Sequence, residues 1–176
     1  MRHCCGTVLV VRSLGLALTL TLAAPAALLG LLLVAPASTP AAVSAGGTRV
    51  RIFAGNCDSL VIAGRRGPKG CRAQLVNMTY RSGVVSFVFA DGTGRLVSFR
   101  GRVGAQVGSQ TTLKVDQVTL VPRGGSQALV SPALGSCVLT PFAADRSRLE
   151  CSARARGARY SALFRTSGAP QSDVTL

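Results

Sequence analysis

The sequence predicts an all-β domain, a small antiparallel barrel or sandwich of about seven to eight strands, stapled by disulfides and following an N-terminal signal helix. Short alternations of apolar and polar residues recur along the 176-residue chain between Gly- and Pro-rich turns, and none after the leader keeps a helical period. Four cysteines fall into two identically spaced pairs, Cys57 with Cys71 and Cys137 with Cys151, each bracketing a turn-rich stretch.

The leader has its own logic. Arg2 and Arg12 supply a positive start, and Leu14 to Val34 is an uncharged apolar run. Ala35-Pro36-Ala37 and Val43-Ser44-Ala45 follow as small-residue cleavage patterns, so residues 1–45 read as a signal peptide cut after Ala37 or Ala45. The run is also long enough to span a bilayer, which leaves an uncleaved membrane anchor as the alternative. Pro25, Pro36 and Pro40 favour cleavage, and Cys4 and Cys5 precede the apolar core, where a lipid-bearing cysteine would follow it. The expected organisation is then one domain over 46–167 and a flexible polar tail over 168–176, exported to the periplasm or beyond the cell.

Along the domain, Arg49 to Phe53 alternates basic and apolar residues, with Phe53 off the pattern, and Leu60-Val61-Ile62 extends again. Gly64 to Gly70 has the composition of a loop. Cys71 to Tyr80 is a strand, turned by Arg81-Ser82-Gly83. Val84 to Ala90 and Arg95 to Val103 form the clearest hairpin: Asp91-Gly92-Thr93-Gly94 makes its turn, with Val85, Phe87, Phe89, Val97, Phe99 and Val103 inward. In Thr111 to Val121 the apolar parity switches between Val115 and Val118, which predicts a bulge near Asp116-Gln117. Residues 122–136, with two prolines and three glycines, read as a long loop. Cys137 to Leu139, Leu149 to Ala155 and Arg159 to Phe164 complete the strands.

The spacing favours local disulfides, each closing a loop of about 15 residues that the chain-entropy model values at roughly 3 kcal/mol. A pairing across the halves, such as Cys57 with Cys151, is the alternative. Disulfides fit export, because they persist in oxidising compartments. No metal site is expected: there is no C-x-x-C, and the single histidine, His3, lies in the leader.

Histidine-based nucleophilic catalysis is therefore excluded from the domain, and no phosphate-cradling glycine motif stands between a strand and a helix. The scattered carboxylates Asp58, Asp91, Asp116, Asp145 and Glu150 read as turn caps and arginine partners. No catalytic residue or cofactor is assigned, and a binder is expected in preference to an enzyme. Asn77-Met78-Thr79 is a formal glycosylation sequon inside a strand and carries no weight. Few rings stand free to stack bases, since only Tyr80 and Tyr160 have room to be exposed, so sequence-specific nucleic-acid binding is not expected.

Charge gives the functional lead. The chain carries 20 Lys and Arg against 6 Asp and Glu, a net +14. Such an excess attracts polyanions, although arginine, alanine, glycine and valine all have GC-rich codons, so composition bias contributes to it. The basic residues cluster beside the cysteine-bounded loops: Arg65, Arg66, Lys69 and Arg72 at the first, and Arg146, Arg148, Arg154, Arg156 and Arg159 at the second. If both hairpins point to one end, they form a basic rim for an envelope glycan, a lipid phosphate or an acidic protein. A structural or protein-interaction module of the envelope, or a carrier of a small lipophilic ligand, is the alternative. Membrane contact is expected only through an uncleaved leader.

The cadence Gly55-Asn56-Cys57, Cys71, Phe87-Val88-Phe89, Phe99-Arg100-Gly101, Gly135-Ser136-Cys137, Cys151-Ser152-Ala153 and Tyr160 resembles that of exported bacterial small β-proteins with two cysteine pairs. That resemblance implies the fold class and no activity.

Overall fold

The computed structural model describes residues 47–67, 70–125 and 127–176. The signal-peptide reading of 1–45 and the candidate Lys69 lie outside the described residues. The strands are β1 (Arg49–Ile62), β2 (Arg65–Arg66), β3 (Cys71–Thr79), β4 (Val84–Asp91), β5 (Leu96–Val107), β6 (Gln110–Val121), β7 (Leu129–Ala143), β8 (Arg146–Ala155), β9 (Ala158–Thr166) and β10 (Ser172–Thr175).

Each long strand pairs antiparallel with the next, from β3 through to β9, and β1 joins β3 on one edge and β9 on the other. The result is a closed eight-stranded meander barrel, with the short β2 and β10 added to β1. Closure leaves no long open edge, and eight strands enclose a space that side chains can fill.

Inward residues do fill it. Phe89, Phe99 and Phe164 meet edge to face, with centroids 5.9 Å (Phe89 to Phe99) and 6.4 Å (Phe89 to Phe164) apart. Leu75, Val97, Leu113, Val115, Val118 and Leu149 pack around them, and Ala153, Ala155 and Ala162 line the β8–β9 wall. The expected inward set of the β4–β5 hairpin holds except for Val103, which is 55% exposed. It sits just past the last β4–β5 pair, Val84 with Arg102, where β5 runs on without β4 and the β5–β6 register slips.

The bulge expected near Asp116 is present: Arg100 pairs with Gln117 but Gly101 with Val115, so Asp116 is the extra residue that swaps the faces. β1 changes partners between Ala54 and Gly55, and a second bulge at Asp58 lies within its ladder with β9. Arg49–Ala54 pairs with β3, and Gly55–Cys57 and Ser59–Val61 pair with β9 on either side of the bulge. Phe53, the residue off the alternation, is the one that packs on the core.

Two further expectations are corrected. Residues 129–136 are not loop, because β7 starts at Leu129; Pro132 stands at the β6–β7 register shift, where the ladder is already interrupted. Gly135 faces inward, and a Cβ there would collide with the backbone of Ser152 and Ala153 on β8. The tail is not free either: Ser172–Thr175 pairs with Arg49–Ile52, and Arg49 forks onto the Asp173 carboxylate.

Both disulfides are local, Cys57–Cys71 and Cys137–Cys151. Cys137 and Cys151 are direct partners inside the β7–β8 ladder. Cys57 and Cys71 face each other beyond the last β1–β3 pair, Ala54 with Gln74, where those strands have parted. Such staples are consistent with an oxidising, exported setting.

Candidate anion-binding site at the barrel mouth

In a meander barrel, alternate turns share an end. The strand ends joined by the β1–β3, β4–β5, β6–β7 and β8–β9 connections therefore sit together at one end, here called the mouth. The turns at 80–83, 108–109 and 144–145 lie at the far end. The two cysteine-bounded hairpins thus point in opposite directions.

This splits the predicted site. Arg65, Arg66 and Arg72 lie at the mouth, and so do Arg154, Arg156 and Arg159 around the β8–β9 turn. Arg146 and Arg148 stand at the far end, removed from the others by the length of β8, so they do not belong to the rim. There Arg146 covers the Phe142 ring and Arg148 pairs with Glu150.

Local turn chemistry sets the rim. Ala63 and Gly64 both have positive φ, 51° and 80°, as a two-residue turn that matches strand twist requires, and this turns β1 into β2. Arg156 and Gly157, at 50° and 75°, make the same turn between β8 and β9. The two turns are tied together, since Gly64 N donates to Arg159 O at 2.7 Å. Gly67 N donates to Leu60 O, and Gly92 N to Gly70 O, which seats the β2–β3 connection against the β4–β5 turn.

That contact brings in two arginines the loop-by-loop reading missed. Arg95 leaves the β4–β5 turn, and Arg123 lies in the β6–β7 connection, both at the mouth. Alternation of turn ends was the signal that would have found them. A cavity of about 560 Å³ opens here, lined by Arg65, Arg66 and Arg95 over Ile62, Ala63 and Leu120.

The acid count at this end decides its electrostatics. Asp91 is the one carboxylate of the described mouth residues, and it is fully buried. It accepts from Thr93 N at 2.8 Å, Thr93 Oγ1 at 2.6 Å, Arg95 N at 3.0 Å and Arg95 Nε at 2.7 Å. Burial pushes its pKa up, but hydrogen bonds from Thr93 and Arg95 outweigh that and hold it at about 2. Asp91 stays ionised and occupies one face of Arg95 only. The remaining mouth arginines have no carboxylate partner among the described residues.

Away from the mouth, Arg49, Arg148 and Arg165 have carboxylate partners, whereas Arg81, Arg100, Arg102 and Arg146 have none among the described residues. Asp58 takes a bidentate fork from Arg165 at 2.9 and 2.8 Å, and Asp173 holds Arg49. Tyr160, which had room to be exposed, packs against the core, while Tyr80 lies under Arg100 on the outer wall.

No family model matches the chain, and no curated protein or solved structure shows significant similarity to it.

Proposed function

We propose that the protein is an exported, non-catalytic binder of an anionic envelope component, a glycan or lipid bearing phosphate or carboxylate groups, and that the barrel mouth receives it. The observation that carries this reading is the cavity lined by Arg65, Arg66 and Arg95, set among five further arginines with a single, already satisfied carboxylate. Guanidinium forks match phosphate and carboxylate oxygens two at a time. The turns that carry them are hydrogen-bonded to each other, so little order is lost when a ligand binds.

Periplasmic or secreted placement completes the reading, with the leader as the export signal. Titration with heparin and with lipopolysaccharide at rising salt tests it. Affinity should fall as salt rises, because exposed charges are screened beyond about 10 Å at 0.1 M. Arg65→Ala/Arg66→Ala should weaken binding about tenfold while leaving the melting temperature in place. Binding that ignores both salt and this substitution overturns the proposal.

A further inference from the structure

The outer face of a barrel strand meets solvent and is ordinarily polar. On β8 and β9 that holds: Arg148, Glu150, Ser152 and Arg154 point outward, as do Arg159 and Arg165. Across β3 to β6 it does not. There the outward residues include Val76, Met78, Val88, Ala90, Leu96 and Val121, and together with the solvent-exposed Arg72 and Gln74 at the upper end they line a groove of about 660 Å³. Leu96 at its upper end is 37% exposed.

The lower end of this groove is polar and ordered. Ser86 and Ser98 hydroxyls meet at 2.6 Å on its floor. Gln117 donates from Nε2 to Thr119 Oγ1 at 3.0 Å and accepts at Oε1 from Arg100 Nη1 at 3.0 Å. The Arg100 guanidinium also lies 5.9 Å from the Tyr80 ring centroid. Arg100 is thus aimed by two neighbours, keeps most of its five donors, and has no carboxylate partner among the described residues.

We infer that this groove is a second binding site, separate from the cavity lined by Arg65, Arg66 and Arg95, for a single-chain fatty acid whose carboxylate sits on the half-buried Arg100 and whose chain runs toward Leu96. Charge complementarity fixes the head: a half-buried cation with unused donors calls for an anion with two oxygens. Apolar lining fixes the tail. Length agrees, since the four residues from Arg100 back to Leu96 span about 13 Å at the rise of a strand, about the reach of an extended ten-carbon chain.

Calorimetric titration of the protein with decanoate and with decanol is the test. Decanoate should bind at least tenfold more tightly than the alcohol, and Arg100→Gln should erase that preference while leaving decanol binding unchanged. Ala90→Phe, which fills the groove, should abolish both, and Arg65→Ala/Arg66→Ala should change neither, which separates this site from the mouth cavity. Equal affinity of the unsubstituted protein for acid and alcohol, or no binding of decanoate, overturns the inference without any variant. So does decanoate binding that survives Arg100→Gln and Ala90→Phe in proteins that melt normally.

Discussion

Asp91 shows how one side chain serves fold and site together. Its carboxylate closes the β4–β5 turn with four hydrogen bonds and fixes Arg95, which lines the mouth cavity. Burial works against the charged form and the hydrogen bonds work for it, and the balance lowers its pKa from 3.8 to about 2. A carboxyl whose folded pKa lies below its unfolded one stabilises fully above the unfolded value, and that stability is lost as pH falls. The window is therefore between about pH 4 and pH 2, and the contribution at neutral pH is on the order of 2 kcal/mol. Asp91→Asn should lose stability of that order at pH 7 and flatten the acid limb between pH 4 and 2. Denaturant melts across that range read both. An unchanged acid limb in the variant would assign the acid sensitivity to other carboxylates, such as Asp173, whose pKa Arg49 also lowers.

Among the elements, the two disulfides differ in what the backbone already does around them. Cys137–Cys151 lies within an unbroken run of the β7–β8 ladder, flanked by Ser136 with Ser152 and Val138 with Glu150. Cys57–Cys71 bridges a gap: β1 has passed from β3 to β9 beyond Ala54, and β3 pairs with β1 only from Gln74 onward. Both loops are of equal length, so removal of either staple should cost about 3 kcal/mol through the unfolded chain. The native consequences should differ. Cys57→Ser/Cys71→Ser should raise amide exchange locally in 71–75 and 55–60, whereas Cys137→Ser/Cys151→Ser should leave the exchange pattern intact and lower its ceiling; identical patterns in the two variants would refute this. The same contrast marks what was legible in the sequence. The β4–β5 hairpin and the Asp116 bulge follow from period-two patterning alone. β7 was hidden because Pro132 and Gly135 look like loop residues unless their partners across the sheet are known. β10 was hidden because its register rests on backbone pairing with β1 and on Arg49 with Asp173, 124 positions away.

At the scale of the whole molecule, barrel topology sorts charge that the sequence only counts. Arginines cluster along the chain near both cysteine-bounded loops, but β8 carries Arg146 and Arg148 to one end and Arg154 and Arg156 to the other. Arg95 and Arg123, distant in sequence from those loops, arrive at the mouth because every second turn returns there. The far end has its own arginines, Arg49, Arg51, Arg81 and Arg102, yet Asp145, Glu150 and Asp173 lie among them. The chain is thus not a uniformly basic body: its field is directed along the barrel axis, and a polyanion should meet it end-on. Equal changes of net charge separate this from simple basicity. Arg65→Gln/Arg66→Gln/Arg154→Gln should lower heparin affinity at low salt by about tenfold or more, because these charges add at one surface. Arg81→Gln/Arg146→Gln/Arg148→Gln removes the same charge from the end that holds the acids, and should lower it much less. Equal losses in the two triple variants would mean that net charge alone governs binding and that the mouth has no privileged role.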